Sequence, residues 1–161
     1  HSDHVGWSTK LDNGRWIPTF PRAQYLLAEK EFQYWKQIVE SGQSDTVLYG
    51  SYEDSVLPII NSGQVLFVKS DHIVETGIYL EPAYGHTPGN DIVHIEAKGR
   101  DAILSGDVIH HPIQLAHPNW STNFVWSTNF SLIFRKHRLS QFRAQIRSLL
   151  SLRRDLMHID H

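Results

Sequence analysis

Apolar residues recur along this chain at two spacings, and the change between them predicts where helices give way to strands. From Glu29 to Ser41, Phe32, Trp35, Ile38 and Val39 fall three and four residues apart, the spacing of one helix face, and Gly42 ends the run. The short apolar run Gln24 to Ala28 just before it reads as a strand. A second helix is predicted over about Tyr49 to Asn61, with Pro58 limiting its regularity. Beyond Gly63 the period shortens. Val65–Val68, His72–Val74, Ile78–Leu80, Ile92–Ile95 and Ala102–Leu104 are apolar or alternating runs separated by Gly, Pro, Asp and Asn, the pattern of short strands. Helices set between strands predict an α/β layered arrangement rather than a pure sandwich. Ahead of these elements, Asn13-Gly14 is a turn signal, followed by the proline-bounded segment Trp16 to Pro21.

The last part of the chain follows another pattern. Trp120-Ser121-Thr122-Asn123-Phe124 is repeated at once as Trp126-Ser127-Thr128-Asn129-Phe130, a local duplication too short for a repeat architecture. From Ser140 to Met157, Phe142, Ile146, Leu149, Leu150 and Leu156 have near-helical spacing with Arg143, Arg147, Arg153 and Arg154 between them. Such a basic amphipathic helix can dock on an anionic surface, or can simply pack on the domain with its charges solvated. Residues 131–161 carry seven Lys/Arg against two Asp/Glu, whereas the preceding residues carry eight against fifteen. The expected division is therefore a domain over 1–125 and a basic, helical tail over 126–161.

Composition narrows the function classes. A chain of 161 residues with 40% hydrophobic residues and five Trp can bury the core of one domain without staples. A net charge of −2 gives no global attraction to nucleic acid, and no apolar run approaches the roughly 20 residues of a membrane span. No secretory signal is visible, which makes the cytoplasm the expectation, although a first residue of His rather than Met leaves the compartment open. With no Cys there is neither a disulfide framework nor a thiolate metal site, so any metal falls to His, Asp and Glu.

Eleven His turn attention to metal or proton chemistry. His1-Ser2-Asp3-His4 sets two imidazoles and a carboxylate within four positions, a ligand set suited to zinc, with cobalt, manganese or iron also matching by ligand type. In an extended segment His1 and Asp3 point one way and His4 the other, so the segment either turns tightly or serves two ions. A polar terminus without a role stands as the alternative. In Gly85-His86-Thr87-Pro88-Gly89, glycines on either side allow close backbone approach and Pro88 stiffens the loop, so an imidazole can be held at a strand end; an ordinary surface His has the same sequence. The strand Ala102 to Leu104 runs into Gly106-Asp107, a carboxylate that burial makes costly unless it is paired, metal-bound or used as a turn cap.

Taken in order, H-x-D-H at His1 to His4, G-H-T-P-G around His86 and the apolar strand ending in Gly106-Asp107 resemble the metallo-β-lactamase fold hydrolases, whose signature is H-x-H-x-D-H. Asp3-His4-Val5-Gly6-Trp7, Gly14 to Pro21 and Gly106-Asp107-Val108-Ile109-His110-His111-Pro112 look like the branch with lactonase-like and organophosphate-hydrolase-like members. The resemblance covers roughly residues 1–120 and implies a partial αββα sandwich. It also implies a binuclear zinc site in which His1 and His86 hold the first ion, Asp3 and His4 the second, and Asp107 bridges both. The signature's first His would precede His1, and its last His has no clear match after Asp107, so the chain holds five of seven implied ligands. Asn90 stands where many members have a further His.

The implied activity is zinc-dependent hydrolysis of an ester, lactone or phosphotriester-like bond in a small-molecule substrate by a metal-bound hydroxide, with Asp3 orienting the hydroxide and Asp107 holding both ions. Neither a nucleic-acid partner nor a membrane span is expected. Trp7, Trp16 and Phe20 read either as core or as walls of an apolar pocket. His110 and His111 read either as residues contacting ligands or substrate, or as surface residues of a turn. The competing function classes are a non-catalytic fragment with an incomplete metal site and a nucleic-acid binder acting through the basic tail.

Overall fold

The computed structural model describes residues 4–42 and 49–121. His1, Asp3 and the 126–161 tail lie outside the described residues, so the expectations placed on them are carried by sequence alone.

An antiparallel hairpin opens the described chain, with β1 (Thr9–Asp12) pairing β2 (Arg15–Pro18). Asn13 and Gly14 join them with φ of 48° and 77°, both left-handed, as a two-residue hairpin turn that follows the twist of its strands requires. The turn signal was legible from Asn-Gly, but the two flanking strands were not. Their segments lack clean alternation, and they form because the turn sets the register Leu11 opposite Trp16.

Strand β3 (Tyr25–Ala28) leads directly into helix α1 (Glu29–Glu40), within a residue of the predicted bounds, and β4 (Val65–Val68) pairs parallel with β3. The helix predicted over Tyr49 to Asn61 is present and irregular, a π-helical turn, Tyr52–Val56, running directly into the short α2 (Leu57–Asn61). Pro58 supplies the reason. It has no N–H to donate to the carbonyl of Asp54 four residues earlier. That carbonyl accepts a 2.8 Å hydrogen bond from the buried Thr9 hydroxyl, which ties the hairpin to the irregular helix. Trp35 of α1 and Tyr52 are the buried centre here, with Phe32, Ile38, Val39, Val56 and Leu57 packed around them.

The larger sheet is antiparallel, in the order β5 (Ile73–Glu75), β6 (Ile78–Pro82), β7 (Asp91–Ala97) and β8 (Arg100–Leu104). Along β7 burial alternates, with Ile92 and His94 on the buried face. His94 is satisfied there by Glu81, whose Oε2 lies 2.6 Å from its Nε2, and by stacking on Tyr79 at 4.8 Å between centroids. Beyond β8 come a 3-10 turn, Gly106–Val108, and α3 (Ile113–Ala116).

Parallel and antiparallel sheets with helices make the fold α/β, as expected. A cavity of about 330 Å³ lies where β3, α1, β6 and β7 converge, lined by Leu27, Phe32, Trp35, Leu80, Val93 and Asp91 among others. No helix among the described residues is long and apolar enough to cross a membrane.

Candidate metal centre

A second apolar cluster decides which polar residues meet. Ala83, Ile92 and Val108 form its buried heart, with Ile103 and Ile109 against them. Ala83 and Ile92 lie at the two ends of the loop that carries His86, and Val108 is the neighbour of Asp107. Burying these three together therefore brings His86 and Asp107 face to face. The contact between sequence positions 21 residues apart is a consequence of apolar packing, which is the main favourable term in folding.

The loop itself is closed by backbone and amide bonds. Ala83 N–H donates to Asn90 O at 2.9 Å, Gly85 N–H to Thr87 O at 3.1 Å, and Asn90 Nδ2 to Ala83 O at 3.1 Å. Asn90, which departs from the resembled pattern, thus has a structural duty in a buried position. His86 is 6% exposed at the centre of this loop.

Asp107 sits in the 3-10 turn with its side chain 14% exposed, the acidic residue of its first turn. Its carboxylate is shared among imidazoles. Oδ1 lies 3.1 Å from His4 Nε2 and 4.0 Å from His110 Nε2, and Oδ2 lies 3.6 Å from His86 Nε2. His4 reaches in from an exposed position, with 62% of its side chain accessible. Asp107 is thereby paired with imidazoles, and His86 is no ordinary surface histidine.

Of the two residues left open at the turn, one joins the group and one does not. His110 stands three residues after Asp107, its ring 4.8 Å from that of His86 and tilted by 59°. Ligand atoms of His86, Asp107 and His110 all lie within 4.8 Å of one another. His111 is exposed, and its Nδ1 accepts a hydrogen bond from Ile113 N–H at 3.1 Å, so it serves the turn. The buried Gln114 holds both: its Oε1 accepts from His110 N–H at 2.7 Å and His111 N–H at 3.2 Å, while its Nε2 donates to Trp120 O at 2.9 Å. The spacing of Asp107 and His110 on one turn was the available sequence signal for His110, and its adjacency to His111 obscured it.

The donor set fits a divalent metal. Zinc–nitrogen and zinc–oxygen bonds of about 2.0–2.2 Å at tetrahedral angles put neighbouring donors roughly 3.3–3.6 Å apart. The 3.6 Å between His86 and Asp107 is too long for a good hydrogen bond and falls at that spacing. Two carboxylate oxygens directed to different imidazoles also match what a bridging ligand must do. Trp7 and Phe20, by contrast, are 85% and 51% exposed, so neither belongs to the core.

Comparison with known proteins places the fold. Among solved structures the chain resembles the hydrolase AbOPH of the beta-lactamase superfamily, with a TM-score of 0.70 at 22% identity over 86% of this chain and 48% of that one. It also resembles AidC, a dizinc quorum-quenching lactonase in complex with a product, with a TM-score of 0.60 at 19% identity over 77% of this chain and 45% of that one. A third is a probable metal-dependent hydrolase from Staphylococcus aureus, with a TM-score of 0.60 at 18% identity over 74% of this chain and 40% of that one. The chain thus spans about half the length of these structures or less. A comparison with the curated proteins gives no match. The family model of the metallo-beta-lactamase superfamily matches residues 1–154, and with that match the chain belongs to the metallo-beta-lactamase superfamily.

Proposed function

We propose that this chain carries the metal site of a hydrolase acting on an ester, lactone or phosphotriester-like bond of a small molecule. The observation that carries the reading is the convergence of His4, His86 and His110 on the single carboxylate of Asp107. Hydrolase and lactonase neighbours in the same superfamily support it, although a fold alone does not specify chemistry. Two zinc ions are the proposed cofactors. The residues that would hold them are His1, Asp3, His4, His86 and Asp107, the set implied by the signature, with His110 as an added donor beside His86.

Within that site each residue has a separate duty. Asp107 presents Oδ2 toward His86 and Oδ1 toward His4, so one carboxylate keeps two groups of donors at a fixed separation. The buried His86 is fixed by its loop, whereas the accessible His4 lies at the solvent side, where substrate arrives. Asp3, next to His4 in sequence, is assigned to orient the attacking water and accept its proton. A bound divalent metal supplies Lewis acidity, acidifying water toward neutrality and polarising the scissile group.

Elemental analysis of the purified chain after dialysis against a weak chelator tests the site, and hydrolysis of a p-nitrophenyl ester, an acyl homoserine lactone and a phosphotriester tests the activity. About two zinc ions retained per chain, with turnover that is lost on chelation and restored by zinc, is the expected result. Retention of metal by the Asp107→Ala variant at the wild-type level would remove the basis of the assignment. A second reading, a metal site without turnover, is favoured by the signature's last His, which has no clear match after Asp107. Metal retention with no hydrolysis of any of the three substrates is its signature.

A further inference from the structure

Glu31 is the third residue of α1, yet its carboxylate is turned away from a helix-surface role. Oε1 accepts a hydrogen bond from the Trp35 indole Nε1 at 2.6 Å. Oε2 accepts two more, from the Thr87 hydroxyl at 2.7 Å and from the Gly89 backbone N–H at 3.1 Å. Both of the latter donors belong to the loop that carries His86. Thr87 is its immediate neighbour and only 3% exposed, so its hydroxyl needs this acceptor.

Close packing accompanies the hydrogen bonds. A Cβ at position 89 would lie 2.2 Å from Glu31 N and 2.6 Å from Glu31 Cα. Only glycine lets the loop backbone rest on the first turn of α1 in this way. The bonds within the loop set its shape, the apolar cluster of Ala83, Ile92 and Val108 holds its two ends, and Tyr84 is anchored by Ser70 at 3.0 Å and by Lys30 over its ring. Glu31 fixes the stretch that follows His86, through charge-assisted bonds that are stronger than neutral ones.

We propose that Glu31 is a positioning residue for the metal centre: from helix α1 its carboxylate clamps Thr87 and Gly89 and so holds the His86 imidazole facing Asp107. The inference rests on the reading of His86 and Asp107 as ligands. Its carboxylate acts through the loop, at Thr87 and Gly89. Outer partners of this kind contribute about 10–100-fold to metal affinity.

Glutamine at this position keeps only half of the function. With its carbonyl on Thr87 and Gly89, its NH₂ faces the Trp35 N–H, donor against donor; turned the other way, the loop loses its acceptor. The test uses the full 161-residue chain with two readouts. One is zinc affinity by competition with a chromophoric chelator, together with the visible absorption of the cobalt-substituted protein. The other needs no metal: the rate at which diethyl pyrocarbonate modifies His86 in the metal-free chain, mapped by mass spectrometry.

For Glu31→Ala the expected result is a zinc affinity lower by about 10–100-fold, an altered cobalt spectrum and faster modification of His86, with Glu31→Gln between it and the wild type. Thr87→Ser should behave as the wild type and Thr87→Val should resemble Glu31→Gln, and this pair carries the test if Glu31→Ala does not fold. If folded Glu31→Ala, or Thr87→Val in its place, leaves zinc affinity, cobalt spectrum and His86 protection unchanged, the proposal is overturned. If the wild type binds no metal but His86 loses protection in the variants, the positioning role holds and the metal reading fails.

Discussion

The side-chain carbonyl of Gln114 lies 2.7 Å from the His110 backbone N–H and accepts its hydrogen bond from a buried position. One amide thus anchors the turn that delivers His110 toward Asp107, and through Nε2 it also holds the Trp120 carbonyl. Replacing Gln114 with Leu keeps the bulk but leaves two N–H groups and a carbonyl without this partner. Unsatisfied groups of this kind cost about 1–3 kcal/mol each. Urea denaturation should show Gln114→Leu destabilised by at least about 1 kcal/mol, with weakened zinc binding, because His110 loses its anchor. Unchanged stability and affinity would mean that the turn holds without the amide.

Gly89→Ala should be far more damaging than an ordinary Gly to Ala change in a loop. Its methyl carbon would meet Glu31 backbone atoms at 2.2 Å and 2.6 Å, and backbone cannot swing aside as a flexible side chain can. The loop would have to lift from α1. Accelerated hydrogen exchange at residues 85–90, measured by mass spectrometry, is the expected outcome, and wild-type protection would show that the helix moves instead.

Asp91 gives the chain a specific pH dependence. Both of its carboxylate oxygens are buried without a formed hydrogen bond among the described residues. Burial raises its pKa from 3.8 to about 6; the nearby Ser70 hydroxyl pulls it back, Glu31 adds to the rise and Lys30 opposes it. The folded chain therefore binds this proton more tightly than the unfolded chain. Its contribution to stability is complete below about pH 3.8 and is lost as pH rises through about 6. Asp91→Asn cannot ionise, so relative to the wild type it should gain stability between pH 4 and pH 7. Denaturation curves of both chains at the two pH values check this, and a difference that does not change with pH would contradict it.

Ile92 is 1% exposed at the centre of the cluster that joins the His86 loop to the Asp107 turn. Truncation to Ala should cost about 2–5 kcal/mol, the range for a buried Ile. If that cluster is what brings the two residues together, zinc affinity should fall as well, even though Ile92 contacts no metal. Calorimetry of unfolding and zinc competition on the same variant measure both effects.

Local signals in the chain were strong wherever a single element could express them. Helix α1 was legible from the spacing of Phe32, Trp35 and Ile38, and the strands of the larger sheet were legible from their apolar runs, because helical and strand periods are imposed by backbone geometry. The Asn13-Gly14 turn was legible because few residues accept two left-handed positions in a row. The order of H-x-D-H at His1 to His4, G-H-T-P-G around His86 and the apolar strand into Gly106-Asp107 pointed to the family before any coordinates. Which donors share one carboxylate was a different matter. His110 meets Asp107 and His86 while His111 turns away, and nothing in the adjacent pair His110-His111 distinguishes them. The distinction comes from Ile113, whose N–H holds the His111 ring in the turn, while the His110 ring lies beside His86. Pro58 signalled the irregular second helix, but neither the clamp of Glu31 on Thr87 and Gly89, 56 and 58 positions apart, nor the reach of Thr9 to the Asp54 carbonyl across 45 positions was legible. These are long-range contacts selected by burial and hydrogen-bond satisfaction, and a local pattern carries no record of them.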